Sequence, residues 1–239
     1  MKTYRVEQKY MLTLPQYQGL MPVIAGLLER DRHAGARGEY MIRSLYFDDM
    51  YQSAYEEKLD GVYSRKKYRI RVYNCQDQII HLECKYKQGA YISKESVSLT
   101  REEYERILQG DCLFLAHKGS LMAGEFCADY YSKLLRPKVI VDYEREPYVM
   151  EAGTVRVTFD KAVRAASPRE NLFDAGAPSY LAIPPERMIM EIKYTGYLPE
   201  RVFFYFRDSK KYHGAKPDAP RTAGHYGKLR VKAGSCIGC

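Results

Sequence analysis

Residues 65–73 read Arg65-Lys66-Lys67-Tyr68-Arg69-Ile70-Arg71-Val72-Tyr73, with charged residues at every second position. In a β-strand, residues i, i+2 and i+4 point to the same face. One face of this strand therefore holds Lys67, Arg69 and Arg71 without any acid, so it repels itself unless an anion lies against it. The stretch predicts a strand with an anion-binding face.

The same alternation recurs along most of the chain. A glutamate two residues before a lysine appears three times, at Glu7/Lys9, Glu83/Lys85 and Glu191/Lys193. Two-residue periodicity is typical of half-buried strands. The pattern predicts strands at Tyr4–Leu12, Glu39–Asp48, Ser64–Asn74, Gln78–Lys87, Lys94–Leu99, Lys138–Tyr148, Thr154–Val163, Met188–Tyr194 and the short Val202–Phe206.

Helical patterns separate several of these strands. A helix is predicted from Thr13 to Arg30, with Thr13 as its N-cap. Thr100 and Glu103 form a capping-box signature for a second helix. A third is expected over Phe126–Leu135, ended by Pro137, and a fourth over Asp49–Leu59. The proline-containing stretch Ala166–Pro185 is predicted to be a long loop.

These elements predict one α+β domain, a closed antiparallel β-barrel of about eight strands with helices packed outside, because few connections are long enough for parallel crossovers. Periodicity leaves two interpretations of the charged faces. They are either solvated outer surfaces or the lining of a barrel, where Arg and Lys would bind phosphate and carboxylates would hold Mg²⁺ or Mn²⁺.

Composition narrows the classes of function. The 239 residues carry 38 Lys and Arg against 30 Asp and Glu, a net charge of +8, which favours anionic partners. Nucleic acid is disfavoured, because the basic residues alternate along strands and form no stacking platform. No apolar run reaches membrane-span length and no leader is evident, so a cytoplasmic protein is expected. Cys236 and Cys239 are interpreted as an incidental tail.

Six short motifs, taken in order, resemble the polyphosphate polymerase domain of the vacuolar transporter chaperone (VTC) family, a branch of the triphosphate tunnel metalloenzymes. The resemblance spans about residues 4–213, and residues 214–239 are expected to be a C-terminal tail. It implies a tunnel barrel whose charged side chains point inward. The motifs are Glu7-x-Lys9-Tyr10, Arg43-Ser44-Leu45-Tyr46-Phe47-Asp48, Lys67-x-Arg69-x-Arg71, Glu83-x-Lys85, Tyr143-x-Arg145 and Glu191-x-Lys193.

The resemblance also implies roles for individual residues. The catalytic, phosphate-clamping set is Lys9, Arg69, Arg71, Lys85 and Arg145. Further substrate-binding residues are Lys67, Lys94, Tyr143, Lys193, Ser209, Lys210 and Lys211, where either of the last two could be the family's lysine. Glu191 is the implied ligand of Mn²⁺ or Mg²⁺, with Glu7 or Glu83 as a second carboxylate. Arg145 shares strand parity with Val139 and Val141, which leaves its inward orientation open.

The implied activity is transfer of the γ-phosphate of ATP to a growing inorganic polyphosphate chain, with release of ADP. Two alternatives remain on the same scaffold, a tripolyphosphatase or nucleoside triphosphatase and a non-catalytic module that binds polyphosphate or nucleotides. The thiamine-triphosphatase and adenylate-cyclase branches of the superfamily read Glu-x-Glu-x-Lys in the first strand, whereas here Arg5 stands at the first position. The loss of one carboxylate favours the polymerase. A membrane partner protein is compatible with the sequence.

Overall fold

The computed structural model describes residues 5–200 and Val202 and contains a closed antiparallel barrel. Eight strands form the ring in the order β7-β3-β4-β5-β6-β1-β10-β8, and pairing of β8 with β7 closes it. The two-residue strands β2 and β9 extend β7 and β8. The predicted barrel of about eight strands is confirmed. The strands are β1 Arg5–Thr13, β2 Glu29–Arg30, β3 Tyr40–Asp48, β4 Ser64–Tyr73, β5 Gln76–Gln88, β6 Tyr91–Leu99, β7 Arg136–Met150, β8 Val155–Ala166, β9 Tyr180–Leu181 and β10 Arg187–Tyr194.

Two of the predicted helix starts are confirmed by their caps. The side-chain oxygens of Thr13 and Thr100 accept hydrogen bonds from the amides of Gln16 and Glu103, and both helices have a complete capping box, which satisfies otherwise orphaned amides. The first helix ends three residues before the predicted Arg30, because Arg30 pairs with β7. The helices are α1 Leu14–Leu27, α2 Ser53–Leu59, α3 Arg101–Gln109 and α4 Leu121–Ser132.

The other two predicted helices have different bounds. Helix α4 begins at Leu121 because Ser120 caps it, and Pro137 does not end it, since that proline lies inside β7. Helix α2 begins at Ser53 and not at Asp49. The carboxylates of Asp48 and Asp49 accept hydrogen bonds from its first amides, which fixes this helix directly after β3.

The long loop predicted at Ala166–Pro185 contains β9 and is therefore partly a strand. The Ala182 amide donates to the Val163 carbonyl at 2.8 Å. Arg43 Nη1 donates to the Asp174 carbonyl at 2.5 Å, and Arg43 Nη2 lies 2.9 Å from Asp142 Oδ2. These contacts hold the segment against the barrel. Val202 is helical, contrary to the predicted Val202–Phe206 strand, and residues 203–206 lie outside the described part of the chain.

Apolar side chains pack between the barrel wall and the helices. On one side, Ile70 and Leu82 of the wall are buried with Phe126 of α4. On the other, Phe159 of β8 is buried with Ile24 of α1. The helices cover the apolar faces of the strands on the outside of the barrel. The alternate, charged faces must therefore point into the barrel.

Part of the interior is also apolar. Ile42 lies on the same face of β3 as Ser44 and Tyr46, whose side chains contact arginines of the interior. A group of apolar side chains lies inside the ring alongside the charged residues, and we call it the apolar interior cluster. Its fully buried members are Ile42, Val141, Tyr143, Val163 and Ile183, with Val139 packed against them.

Candidate functional site

The strand register places a row of lysines across the interior. Lys67 of β4 lies opposite Lys85 of β5, and Lys85 lies opposite Lys94 of β6. Like charges directly opposite one another destabilise a sheet, so this row needs negative charge nearby. Glu7 supplies some of it, because Lys85 Nζ donates to its two oxygens at 2.7 and 2.9 Å.

Glu7 and Glu191 are the two carboxylates of the β1–β10 pair. The register sets Lys9 opposite Glu191 and Glu7 opposite Lys193. Lys9 Nζ is 2.6 Å from Glu191 Oε2, Lys193 contacts the other oxygen of Glu191, and Lys193 Nζ is 3.8 Å from Glu7. Lys9, Lys85 and Lys193 thus share two carboxylates, which leaves the group with one excess positive charge.

Their ionisation reflects this imbalance. Burial opposes charge on Glu191, but Lys193 and Lys9 outweigh it and hold the pKa of this carboxyl well below its usual range. Burial also opposes charge on Lys9, yet Glu191 and Glu7 raise its pKa above the usual range. For Lys193, burial dominates and lowers the pKa to about 8, although the two glutamates act in the other direction.

Glu83 organises the cations of β4 and β6. Arg69 grips one oxygen of Glu83 through Nε and Nη2, at 2.7 and 2.6 Å. Lys94 Nζ contacts the other oxygen at 2.6 Å, and Arg71 Nη1 lies at 3.8 Å. Burial would raise the pKa of Glu83, but Arg69 and Arg71 outweigh it and hold the pKa far below the usual range. Glu83 is therefore an internal counterion for the cations around it.

Arg145 also points inward, which settles the orientation that strand parity left open. Its Nε and Nη2 donate to Asp160 of β8, both at 2.7 Å. Its guanidinium lies 5.1 Å from the centre of the Tyr143 ring. By strand parity, Val139 and Val141 lie on the same face of β7 as Arg145. Both belong to the apolar interior cluster. Arg145 thus stands at the boundary between charged and apolar lining.

Lys67 differs from its neighbours in having no carboxylate partner. Within residues 5–200 and 202, no acid lies at salt-bridge distance from its ammonium. Burial lowers its pKa, and Arg65 and Lys85 lower it further, against the opposing effect of Tyr46 and Asp48. A partly buried lysine without a counterion marks a place where an anionic ligand would be stabilised.

Tyr46 and Asp160 are site residues that the sequence did not identify. Arg69 Nη1 donates to the Tyr46 hydroxyl at 3.1 Å. Burial would raise the pKa of Tyr46, but Arg69 and Arg71 lower it to about 8. Tyr46 belongs to the motif Arg43–Asp48. Its two-residue spacing from Ser44 is the sequence feature that could have indicated an inward orientation. Asp160 could be recognised only from its pairing opposite Arg145.

The structure brings the predicted residues of the described chain to one interior surface. Ser209, Lys210 and Lys211 lie outside the described residues, as do the boundary at residue 213 and the Cys236/Cys239 pair. The predicted site residues that line the interior surface are Glu7, Lys9, Lys67, Arg69, Arg71, Lys85, Lys94, Tyr143, Arg145, Glu191 and Lys193.

Two searches of the described residues bear on the remaining predictions. In the part of the chain that the structure describes, no group of three or more His, Cys, Asp or Glu side chains is arranged to hold a metal ion. None of the helices described is both long and apolar enough to cross a membrane.

Comparison with protein families gives one match, to the VTC domain, over residues 4–209. Among curated proteins, no match was found. Solved structures share the fold. A candidate adenylate cyclase from Bacillus halodurans superposes with a TM-score of 0.52 at 16% identity, covering 88% of this chain and 90% of that one. A candidate adenylyl cyclase from Hippeastrum, described as having a dominant triphosphatase activity, gives 0.47 at 11%, covering 90% and 92%.

Proposed function

Because the chain belongs to the VTC domain family, we propose that it is an enzyme that transfers the γ-phosphate of ATP to a growing inorganic polyphosphate chain and releases ADP. The lysine row Lys67–Lys85–Lys94 inside the barrel supports this most directly. Glu7 and Glu83 neutralise part of this row, but Lys67 has no carboxylate partner among the described residues, and the row suits a chain of phosphates that carries charge along its length.

Phosphoryl transfer needs positioning and charge neutralisation more than covalent participation of the protein. Arg69, Arg71 and Arg145 supply forked donors that match phosphate oxygens. Their present partners, Glu83 and Asp160, keep the guanidinium planes in place before a ligand arrives. Preorganised donors of this kind stabilise developing charge without reorganising during the reaction.

Two lysines are assigned different roles in binding the phosphates. Lys85 joins the arginines in clamping the transferring phosphates, and Lys9 orients the end of the acceptor chain. The terminal phosphate of the acceptor is already an anionic nucleophile, so no general base has to remove a proton from it. The reaction breaks the bond between the β,γ-bridging oxygen and the γ-phosphorus. It forms a new bond from an acceptor oxygen to that phosphorus, and the leaving group is ADP.

Glu191 and Glu7 fit a hard divalent cation such as Mn²⁺ or Mg²⁺ in number and type. Magnesium is often held by one or two carboxylates together with substrate phosphates. Thr158 lies opposite Glu191 in the register, is buried, and its hydroxyl has no hydrogen-bond partner among the described residues. This polar atom beside the carboxylate is consistent with a ligand at that position. When bound, the cation would neutralise phosphate charge.

Incubation of the full chain with ATP and Mn²⁺ or Mg²⁺ tests the proposal. We expect long polyphosphate and ADP, resolved by gel electrophoresis and by chromatography. Lys85→Met should reduce polymer formation strongly, whereas Lys138→Met, at an exposed lysine of β7, should not. Inorganic phosphate without polymer would instead identify a hydrolase. Tight binding of ATP or polyphosphate without turnover under varied metals would identify a binding module.

A further inference from the structure

A groove of about 400 Å³ lies outside the barrel, next to the mouth of its interior. Its walls are α2, α4 and the outward faces of β4, β5 and β6. Its volume falls in the range of small-molecule sites, roughly 300–1,000 Å³. We call it the outer groove and define it by Ala54, Arg65, Tyr86, Lys87, Ser93 and Glu125.

The outer groove and the barrel interior meet at Arg65 and Lys87. These residues lie opposite each other in the β4–β5 register and share strand parity with Lys67 and Lys85, so they continue the interior face to its rim. Both also line the groove. Burial lowers the pKa of Lys87, and Arg65 and Lys85 lower it further. A ligand lying in both spaces would therefore pass two cations at the rim.

The charges of the groove differ from those of the interior. Its basic residues are outnumbered, and Lys66 is already neutralised, with its Nζ 2.5 Å from both Glu125 and Asp129. The groove therefore attracts a phosphate chain much less than the interior does, while groups with N–H and O–H donors can still donate to its carboxylates, because each carboxylate has about four lone-pair sites. The lining acids are Asp48, Asp49, Glu57, Glu125 and Asp129, against Arg65, Lys66, Lys87 and Lys133.

One polar atom of the groove lacks a partner. Ser93 is 4% exposed, and its hydroxyl makes no hydrogen bond among the described residues. It lies opposite Tyr86 in the β5–β6 register, and Tyr86 donates to Glu125 at 2.6 Å. A buried hydroxyl left unpaired destabilises the protein, so a ligand that hydrogen-bonds Ser93 gains by satisfying it. Phe47 and Leu135 add apolar surface to the same lining.

We infer that the outer groove binds the nucleoside part of a nucleoside triphosphate, while the triphosphate passes Arg65 and Lys87 into the barrel. The flat base would lie against the aromatic and apolar lining, and the sugar hydroxyls and base amino group would donate to the carboxylates and Ser93. Arg65 and Lys87 would hold the phosphates nearest the sugar. This inference rests on the proposed function for the identity of the phosphate-binding interior.

Two variants that fill the groove from opposite walls test it. Ala54→Leu adds bulk from α2 and Ser93→Val adds bulk from β6. Matched controls are Ala128→Leu, at an exposed position of α4 outside the groove, and Ser132→Val, at the exposed end of the same helix and outside the groove lining. Dissociation constants of the full chain for ATP and for inorganic tripolyphosphate would be measured by calorimetry, together with the thermal midpoint of each variant.

We expect both groove variants to weaken ATP binding at least tenfold and to leave tripolyphosphate binding within twofold, with the controls unchanged for both ligands. Equal weakening of both ligands, or no effect on either, would overturn the nucleoside assignment. Wild-type protein that binds tripolyphosphate but not ATP would overturn it while leaving an anion-binding interior intact. Failure to bind either ligand would reject the proposed function together with this inference.

Discussion

The charged and apolar parts of the barrel interior are built on the same strands and the same face parity, yet they do opposite things. In the charged part, partly buried cations outnumber the carboxylates that neutralise them, as Lys9, Lys85 and Lys193 do around Glu7 and Glu191. In the apolar part, side chains such as Ile42 and Val163 are buried and pack against one another. The comparison teaches that alternation fixes which face points inward, while residue type along the strand decides where a ligand can enter.

The largest expected effect comes from placing a charge in the apolar part. Ile42 is 1% exposed and lies between Tyr73 and Tyr143 in the register. Ile42→Glu should lower the free energy of unfolding by about 3–5 kcal/mol, because the charge would be buried and the nearest guanidiniums, Arg71 and Arg145, already have partners. Urea denaturation measures this. Ile42→Val, the control, should cost only about 0.5–1.5 kcal/mol, and an equally stable Glu variant would contradict a dry interior cluster.

Removing a charge from the charged part should instead affect catalysis. Glu191→Gln keeps the side-chain shape but removes the carboxylate proposed to hold the cation. We expect turnover to fall on the order of 10²–10³-fold and the dependence on Mn²⁺ concentration to weaken. Steady-state rates across a metal titration, with a thermal melt to verify folding, give the answer. Turnover within threefold of wild type would exclude Glu191 as a metal ligand.

The boundary between the two parts should be sensitive to pH through Tyr46. Its pKa of about 8 means that it becomes negatively charged at alkaline pH, where it competes with phosphate for Arg69. Lys193, with a pKa also near 8, loses its positive charge over the same range. Both changes weaken anion binding as pH rises, whereas the terminal phosphate, with a second pKa of about 6, is already ionised.

Tyr46→Phe removes only the first of these changes. We expect the loss of tripolyphosphate affinity between pH 7 and 9.5 to become about three- to tenfold smaller, but not to disappear, because Lys193 still titrates. The groups facing Tyr46 are Arg69, Arg71, Lys67, Lys9 and Tyr143. Calorimetric titrations at several pH values report the profile, and identical profiles for wild type and variant would refute this role of Tyr46.

The smallest effect is expected at the rim. Lys94 belongs to the lysine row, but its side chain is 48% exposed and is paired with Glu83. Solvent screens such a charge, so Lys94→Met should weaken tripolyphosphate binding by less than about threefold. Lys67→Met, at a more buried lysine without a carboxylate partner, should have the larger effect. A reversed order in the two dissociation constants would show that exposure does not grade the cations of this row.

Much of the barrel and of its charged lining could be predicted from the sequence, because strand alternation is a local property. The orientations of Arg69, Arg71 and Lys85 follow from two-residue periodicity once the helices are known to cover the other face. Tyr46 and Asp160 could not be found in this way. Their roles depend on which strands are neighbours and in which register, and the bulge between Asp142 and Glu144 shifts that register.

Element ends were predicted less well, because side-chain caps and distant pairings decide them. Ser120 moves the start of α4 to Leu121, and pairing of Arg30 with Tyr148 shortens α1. The outer groove could not be predicted either, because it also depends on contacts between residues that are distant in the sequence. It is formed where α2, fixed by the carboxylates of Asp48 and Asp49, and α4 approach the barrel wall, and no local pattern encodes that meeting.

The carboxylates that grip the interior arginines have a consequence for ionic strength. Glu83 and Asp160 neutralise Arg69 and Arg145 from within the protein, so few dissolved anions gather at these guanidiniums and few are released when a phosphate chain binds there. Buried pairs are also screened less than exposed ones. The affinity for phosphate chains should therefore decline with added salt much less steeply than counterion release from an exposed basic surface would require.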